Sequence, residues 1–276
     1  MAIDFEVTPG VIEAIERATL QAVRPDVVDT SIPGWLLPMD GGTVGRAHSA
    51  VPLAHPQDAS AQAAQTTQLP HIAQRYRANG LPPVFRLPEE ATWLHDGARA
   101  LGAERVEPTW VMTVPMSKLL QLRPLAYAGN VHISVERLPD PAWQALFTGE
   151  GLDPVDGAHR VRLLSRAEQT LFVSASVEGE TVACGAANFG HGWMGVHGMR
   201  TAAAHHGHGH AGRVLQAMAA HARNGVWATD PPHAPPKSAG VQHAFLQVGA
   251  ANQAALAVYR RAGFAPAWRY AYWRCA

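Results

Sequence analysis

The stretch "MRTAAAHHGHGHAGRVLQAMAAHARN", Met199 to Asn224, decides how this chain folds. Its centre, "GHGHAG" from Gly207 to Gly212, matches G-x-G-x-x-G literally, the glycine pattern of a dinucleotide-binding turn. That pattern needs a parallel strand before it and an acid at the end of the next strand. Upstream, however, "TLFVSASV", "TVACGAANF" and "WMGVHGMRT" read as strands joined by the tight turns "EGE" and "GHG", so they are antiparallel. Downstream, Asp230 sits in the proline run "ATDPPHAPPKSAG" instead of at a strand end, and no lysine completes a P-loop. The dinucleotide reading fails, but its physics survives. Gly207, Gly209 and Gly212 with Ala211 let backbone approach a ligand, and the helix that follows points unpaired N–H groups at it. Such a corner suits a diphosphate, or it is simply a tight turn that needs glycine.

Around this loop the pattern is mixed. A helix is expected at Pro9–Val23, short strands at "GWLLPMDGG", "RAHSAVPL" and "VFRLP", and helices at Ala59–Asn79 and "EEATWLHDGARALG", the latter with acids in its first turn. "PTWVMTVPM" is a strand, "SKLLQLRPLAYAGN" a connector, and "VHISVERL" opens a second unit with a helix around Trp143. After the loop come the helix "GRVLQAMAAHARN" ended by Gly225, the proline run as a spacer, strand "HAFLQVG", helix "NQAALAVYRRA" capped by Asn252, and strand "WRYAYWRC". The division expected is residues 1–127 and 128–276.

Composition narrows the function classes. The chain has 276 residues, 47% hydrophobic and 16% charged, enough for a large packed core. Lys plus Arg equals Asp plus Glu at 22 each, so no global field favours nucleic acid or an acidic membrane. Cys184 and Cys275 are the only cysteines and give no disulfide framework. With no apolar run of about 18 residues and no signal-like start, the expectation is a cytoplasmic protein.

In the order of its motifs the chain resembles the GNAT acetyltransferases. Their acyl-CoA signature Q/R-x-x-G-x-G/A is similar to "HHGHGHAG", with Gly209 and Ala211 at the small positions and His206 where Arg or Gln is usual. "MRT" (Met199, Arg200, Thr201) resembles the strand end whose backbone binds the pantetheine arm. "LQVGAANQAALAVYRRAGF" is similar to the family's strand followed by N-x-x-A-x-x-L-Y-x-x-x-G-F, with Val258 in place of Leu. The match covers about residues 170–276, and the N-terminal half is similar to a degenerate GNAT-like domain that packs or shapes the acceptor pocket, packing being preferred. The resemblance implies an α+β GNAT fold: a mixed, largely antiparallel sheet flanked by helices, preceded by a smaller α+β GNAT-like domain.

It also implies acetyl-CoA as co-substrate and a small-molecule or peptide amine as acceptor, attacked directly in a ternary complex. No nucleic acid or membrane partner is expected, and a homodimer is left open. The coenzyme is expected at Met199, Arg200, Thr201, His206, Gly207, His208, Gly209, His210, Ala211, Gly212 and Asn252, although Asn252 equally caps its own helix. Tyr259 takes the general-acid role, or else is one residue of a buried helical face. Many relatives have a glutamate just after "LQV", where this chain has Gly249. His197, two residues before Met199 and expected on the same face, is the alternative base, or an ordinary strand histidine. No metal is expected, since H-x-H-x-H has no nearby carboxylate or cysteine. The missing glutamate keeps a second class open, a non-catalytic acyl-CoA sensor.

Overall fold

The computed structural model describes residues 5–149, 151–224 and 241–275. Helix α1 (Pro9–Val23) opens where Thr8 accepts the Val11 amide and Pro9 fills the first turn. Strands β1 (Val27–Asp29), β2 (Trp35–Met39) and β3 (Val51–Pro52) form a small antiparallel sheet, with a 3-10 turn, Gly45–Ala47, between the last two. The second expected strand, "RAHSAVPL", is thus mostly turn. Helix α2 (Ala59–Ala78) is capped by Asp58 and leads to β4 (Val84–Pro88), α3 (Thr92–Ala100) and β5 (Ala103–Pro115). The acids expected in the first turn of α3 lie before it, where Glu89 binds Arg105 and Arg269 instead.

Next come α4 (Met116–Leu119), β6 (His132–Glu136), α5 (Pro141–Ala145) and α6 (Pro154–Arg166). The meander β7 (Thr170–Val177), β8 (Glu180–Gly190) and β9 (Trp193–Thr201) follows. Its hairpins turn on Glu178–Gly179 and His191–Gly192, all at positive φ as such turns require. Helix α7 (His210–Asn224), β10 (His243–Gly249), α8 (Gln253–Arg261) and β11 (Ala265–Cys275) complete the chain. Gly225 and the proline run lie outside the described residues.

The main sheet has eight strands in the order β4-β11-β5-β10-β9-β8-β7-β6, antiparallel except for β9 beside β10. The expected division at residue 127 falls between strands of this one sheet. β4 and β5 precede the boundary yet flank β11, so both halves share one sheet. Helices α7 and α8 bury Val214, Leu215, Met218, Leu256 and Tyr259 against one face. The opposite face carries α1 (Ile12, Ile15, Ala18) over Trp193, Phe245 and Tyr270, and α5–α6 (Trp143, Leu164) over Phe172 and Ala186. No described helix is long and apolar enough to cross a membrane.

Candidate active site

Strands β9 and β10 pair only from Trp193/His243 to Val196/Leu246. Beyond that point they part, and alternate main-chain groups on their facing edges lose their ladder partners. The cause is local. Opposite Cys184 and Ala186, β9 holds an extra residue between His197 and Arg200, a β-bulge with Gly198 at φ 59°. A side chain at Gly198 would also press Leu164 Cδ1, 2.9 Å from its Cβ. The bulge turns the strand away from β10 and opens a cavity of about 340 Å³ through the sheet.

The bulge also breaks the period of two. Met199 packs on the α7 face, against Gly185 and near Met218, whereas His197 lies on the α1 face, its ring 5.8 Å from that of Phe245. The expectation that the two share a face is therefore corrected. His197 is buried with neither ring nitrogen hydrogen-bonded, and burial with the nearby Arg46 charge pushes its pKa down to about 3. Such an imidazole stays neutral at physiological pH but is too weak to hold a proton taken from an amine, which argues against its role as base.

On the α8 side the cavity meets Met199, Val248, Gly249, Asn252, Ala255 and Tyr259. Asn252 Oδ1 accepts the Ala255 amide at 3.0 Å, so capping occupies that oxygen. Tyr259 is 8% exposed, and burial pushes its phenol up to about 12, so it keeps its proton. On the opposite side the wall is Val44, Arg46, Phe147, Arg160, Leu163 and Arg200. The N-terminal segment therefore shapes the pocket, where packing alone was preferred. Arg46 and Arg160 were missed. Arg160 belongs to α6, whose signature was readable in Asp153 and Pro154 at its start but was passed over.

The glycine loop lies at the α7 end. Gly207 and Gly209 sit at φ 81° and 77°, values that favour glycine, and α7 begins at His210, two residues before the expected start. The amides of Gly207 to Gly212 donate to no turn, loop or cap acceptor in the described chain. Arg213 pins the loop by donating to the carbonyls of His208 at 2.9 Å and Leu125 at 2.8 Å. His206 Nε2 lies 2.9 Å from the Thr201 carbonyl oxygen, so its ring is tied to the end of β9. The Arg200 side chain stacks on Phe147 at 5.3 Å, on the α5–α6 side of the cavity.

His205, His208 and His210 each bring a ring nitrogen within 4.8 Å of the others. Three imidazoles suit a Zn²⁺-class ion. Yet both ring nitrogens of His210 are buried without a partner, so the outer-shell acceptor that normally orients a ligating histidine is missing. An anionic oxygen at the loop would serve these donors equally well.

Two histidines, His197 buried and His55 half-buried, set an acid limit on stability. His197 and His55 have folded pKa values near 3 and 4, through burial first, against about 6.5 unfolded. The unfolded chain binds these protons first. Their contribution is therefore intact above about pH 6.5 and is lost as pH falls toward the folded values, by up to about 1.4 kcal/mol per pH unit for each. Urea midpoints taken at pH 7.5 and 4.5 should fall less for His197→Gln than for the parent; equal falls would contradict this.

The chain as a whole has counterparts among known proteins. A family model described as "Probable histone acetyltransferase Rv0428c C-terminal" matches residues 10–273. The chain belongs to that family, within the GNAT N-acetyltransferase superfamily. A GCN5-related N-acetyltransferase from Kribbella flavida is similar in structure, with TM-score 0.66 and 18% identity over 98% of this chain and 96% of that one. A tandem GNAT protein from the clavulanic acid biosynthesis pathway gives TM-score 0.57 and 12% identity, covering 95% and 94%. A GCN5-related N-acetyltransferase from Sphaerobacter thermophilus gives 0.53 and 18%, covering 98% and 93%. At these identities the likeness is one of fold. No curated protein matches the sequence. The GNAT family implies acetyl-CoA, and the splayed strands, the unpaired loop amides and the protonated Tyr259 fit such a co-substrate.

Proposed function

We propose that this GNAT protein transfers an acetyl group from acetyl-CoA to a primary amine by direct attack in a ternary complex. The observation that carries the reading is the opening between β9 and β10, which joins the α7–α8 face to the α1–α6 face. The diphosphate would rest on the amides of Gly207 to Gly212, and the thioester would reach the gap beside Met199. There a main-chain N–H freed by the splay polarises its carbonyl. The acceptor nitrogen enters from the α1–α6 side and bonds to the carbonyl carbon. The C–S bond breaks, and Tyr259 gives its proton to the departing sulfur. The proton released by the amine passes through solvent and restores Tyr259.

The amine must arrive neutral, and among the described residues no carboxylate lines the cavity to take its proton. Desolvation and the nearby guanidinium charges of Arg46 and Arg200 lower its pKa instead. The same lack of a carboxylate favours a second reading, a non-catalytic acyl-CoA sensor. The family description points to a histone acceptor, whose lysine-rich tails would meet like charge here. Incubating the full chain with acetyl-CoA and a panel of amines, and following free thiol, separates the readings. Amine-dependent thiol release with N-acetylated product is expected; slow release that no amine accelerates would leave the sensor.

A further inference from the structure

The acceptor side of the cavity has a charge pattern that an ordinary amine site would not need. Arg46, Arg160 and Arg200 all line it, and among the described residues no Asp or Glu does. Arg46 comes from the 3-10 turn before β3. It makes no ion pair among the described residues; the phenols of Tyr270 and Tyr272 act on its charge, and it in turn acts on the Glu16 carboxyl. The carboxylates in reach are already committed. Glu16 faces the Arg86 guanidinium at 2.6 Å, and Asp156 takes Arg160 Nε at 2.6 Å and the Thr43 hydroxyl at 2.7 Å. Arg200 stacks on Phe147, and its Nε is buried without a partner.

A guanidinium set into a protein wall without a counter-charge is costly unless an anion arrives with the ligand. Its planar fork of N–H donors matches a carboxylate or phosphate edge. We infer that the acceptor is a small amine that also carries an anionic group, carboxylate or phosphate, bound by Arg46 and Arg200 with Arg160 at the cavity rim. This rests on the acetyl-transfer reading for the amine and on the arginines alone for the anion. The geometry separates the two ligands, because the arginines lie on the sheet face opposite α7 and its loop. Polyamines, aminoglycosides and lysine-rich peptides would enter against like charge with nothing to pair their cations.

The test compares amines that differ only in the anion. One pair is an α-amino acid and its carboxamide; another is phosphoethanolamine and ethanolamine. Spermidine and a lysine-rich peptide are included beside them. In the full chain with acetyl-CoA, kcat/KM for the anionic member should exceed that of its neutral partner by about tenfold or more. Arg46→Gln should bring the ratio close to one. Arg160→Gln, on a partly exposed helix face, is the second variant should the first fold poorly, and it should shrink the ratio as well. Faster turnover of spermidine or the peptide, or equal losses on both members of each pair, would overturn the inference.

Calorimetry of the same amines with the CoA-saturated protein separates the two readings. Anionic amines that bind, and lose binding in Arg46→Gln, but are never acetylated would sink the transfer reaction and keep the anion site. No preference for the anionic members in binding would sink the anion site itself.

Discussion

Tyr259→Phe should lower kcat by about 100-fold or more, the usual contribution of a well-placed general acid, while the affinity for CoA stays unchanged. The reason is in the environment of the phenol. Its helix α8 is fixed by the Asn252 cap at one end and by Gly263 at φ 94° at the other. That frame holds the ring 5.9 Å from that of Phe264, and the residue lines the cavity. Burial raises its pKa, and the charges of Arg200 and Arg46 hold back the rise. A phenol that keeps its proton near neutrality, yet feels two cations that favour its anion, is suited to give that proton to a thiolate. Phenylalanine preserves the packing and removes only the oxygen, so calorimetry with CoA should be unaltered. Turnover within a factor of two of the parent would remove Tyr259 from the chemistry.

The second large effect is on stability. Glu16→Ala should destabilise the fold by about 3–5 kcal/mol, because it strands Arg86 inside the protein. Both side chains are almost wholly buried, at 2% and 0% exposure. Burial pushes the Glu16 carboxyl up, against the opposing pull of Arg86. The pair anchors a longer chain of contacts. Arg86 donates to Gln247 Oε1 at 3.3 Å, Tyr270 donates to the same oxygen at 2.8 Å, and Gln247 donates to Thr19 at 3.0 Å. Gln247 lines the cavity, so this network links α1, β4, β10 and β11 to its wall. Replacing both partners with methionine should recover most of the loss, since the cost comes chiefly from the widowed charge. Urea unfolding of the parent, both single variants and the double variant measures this; a single-variant loss below about 1 kcal/mol, the range of an exposed pair, would contradict it.

What could be read in advance followed from residues whose chemistry is local. The loop was legible because Gly207 and Gly209 permit a conformation other residues resist, and the hairpins because Glu178–Gly179 and His191–Gly192 can turn that tightly. Asn252 and Gly263 marked the ends of α8 in the same way. The faults arose where one residue changed a long-range relation. Gly198 looks like any small strand residue, yet its bulge reverses the relation between His197 and Met199. Helix α6 was overlooked because Arg160, Arg162 and Arg166 interrupt its apolar side, although Leu163 and Leu164 are buried. Arg46 carries no motif; only the folding of the small sheet against α1 and α6 brings it to the cavity. Spacing along a chain does not reveal which strands become neighbours, so nothing in the sequence placed β4 and β5 beside β11.

The position of β11 bears on how the polypeptide is made. It fills the slot between β4 and β5, pairing Tyr270 with Pro88 and Ala265 with Thr113. Roughly two-thirds of the chain must therefore be translated after the first of those strands before the gap can close. Until then the nascent chain presents the open edges of Val84–Pro88 and Ala103–Pro115, and such edges recruit other strands. Premature stop codons upstream of Ala265 should yield insoluble fragments in place of a working half-enzyme.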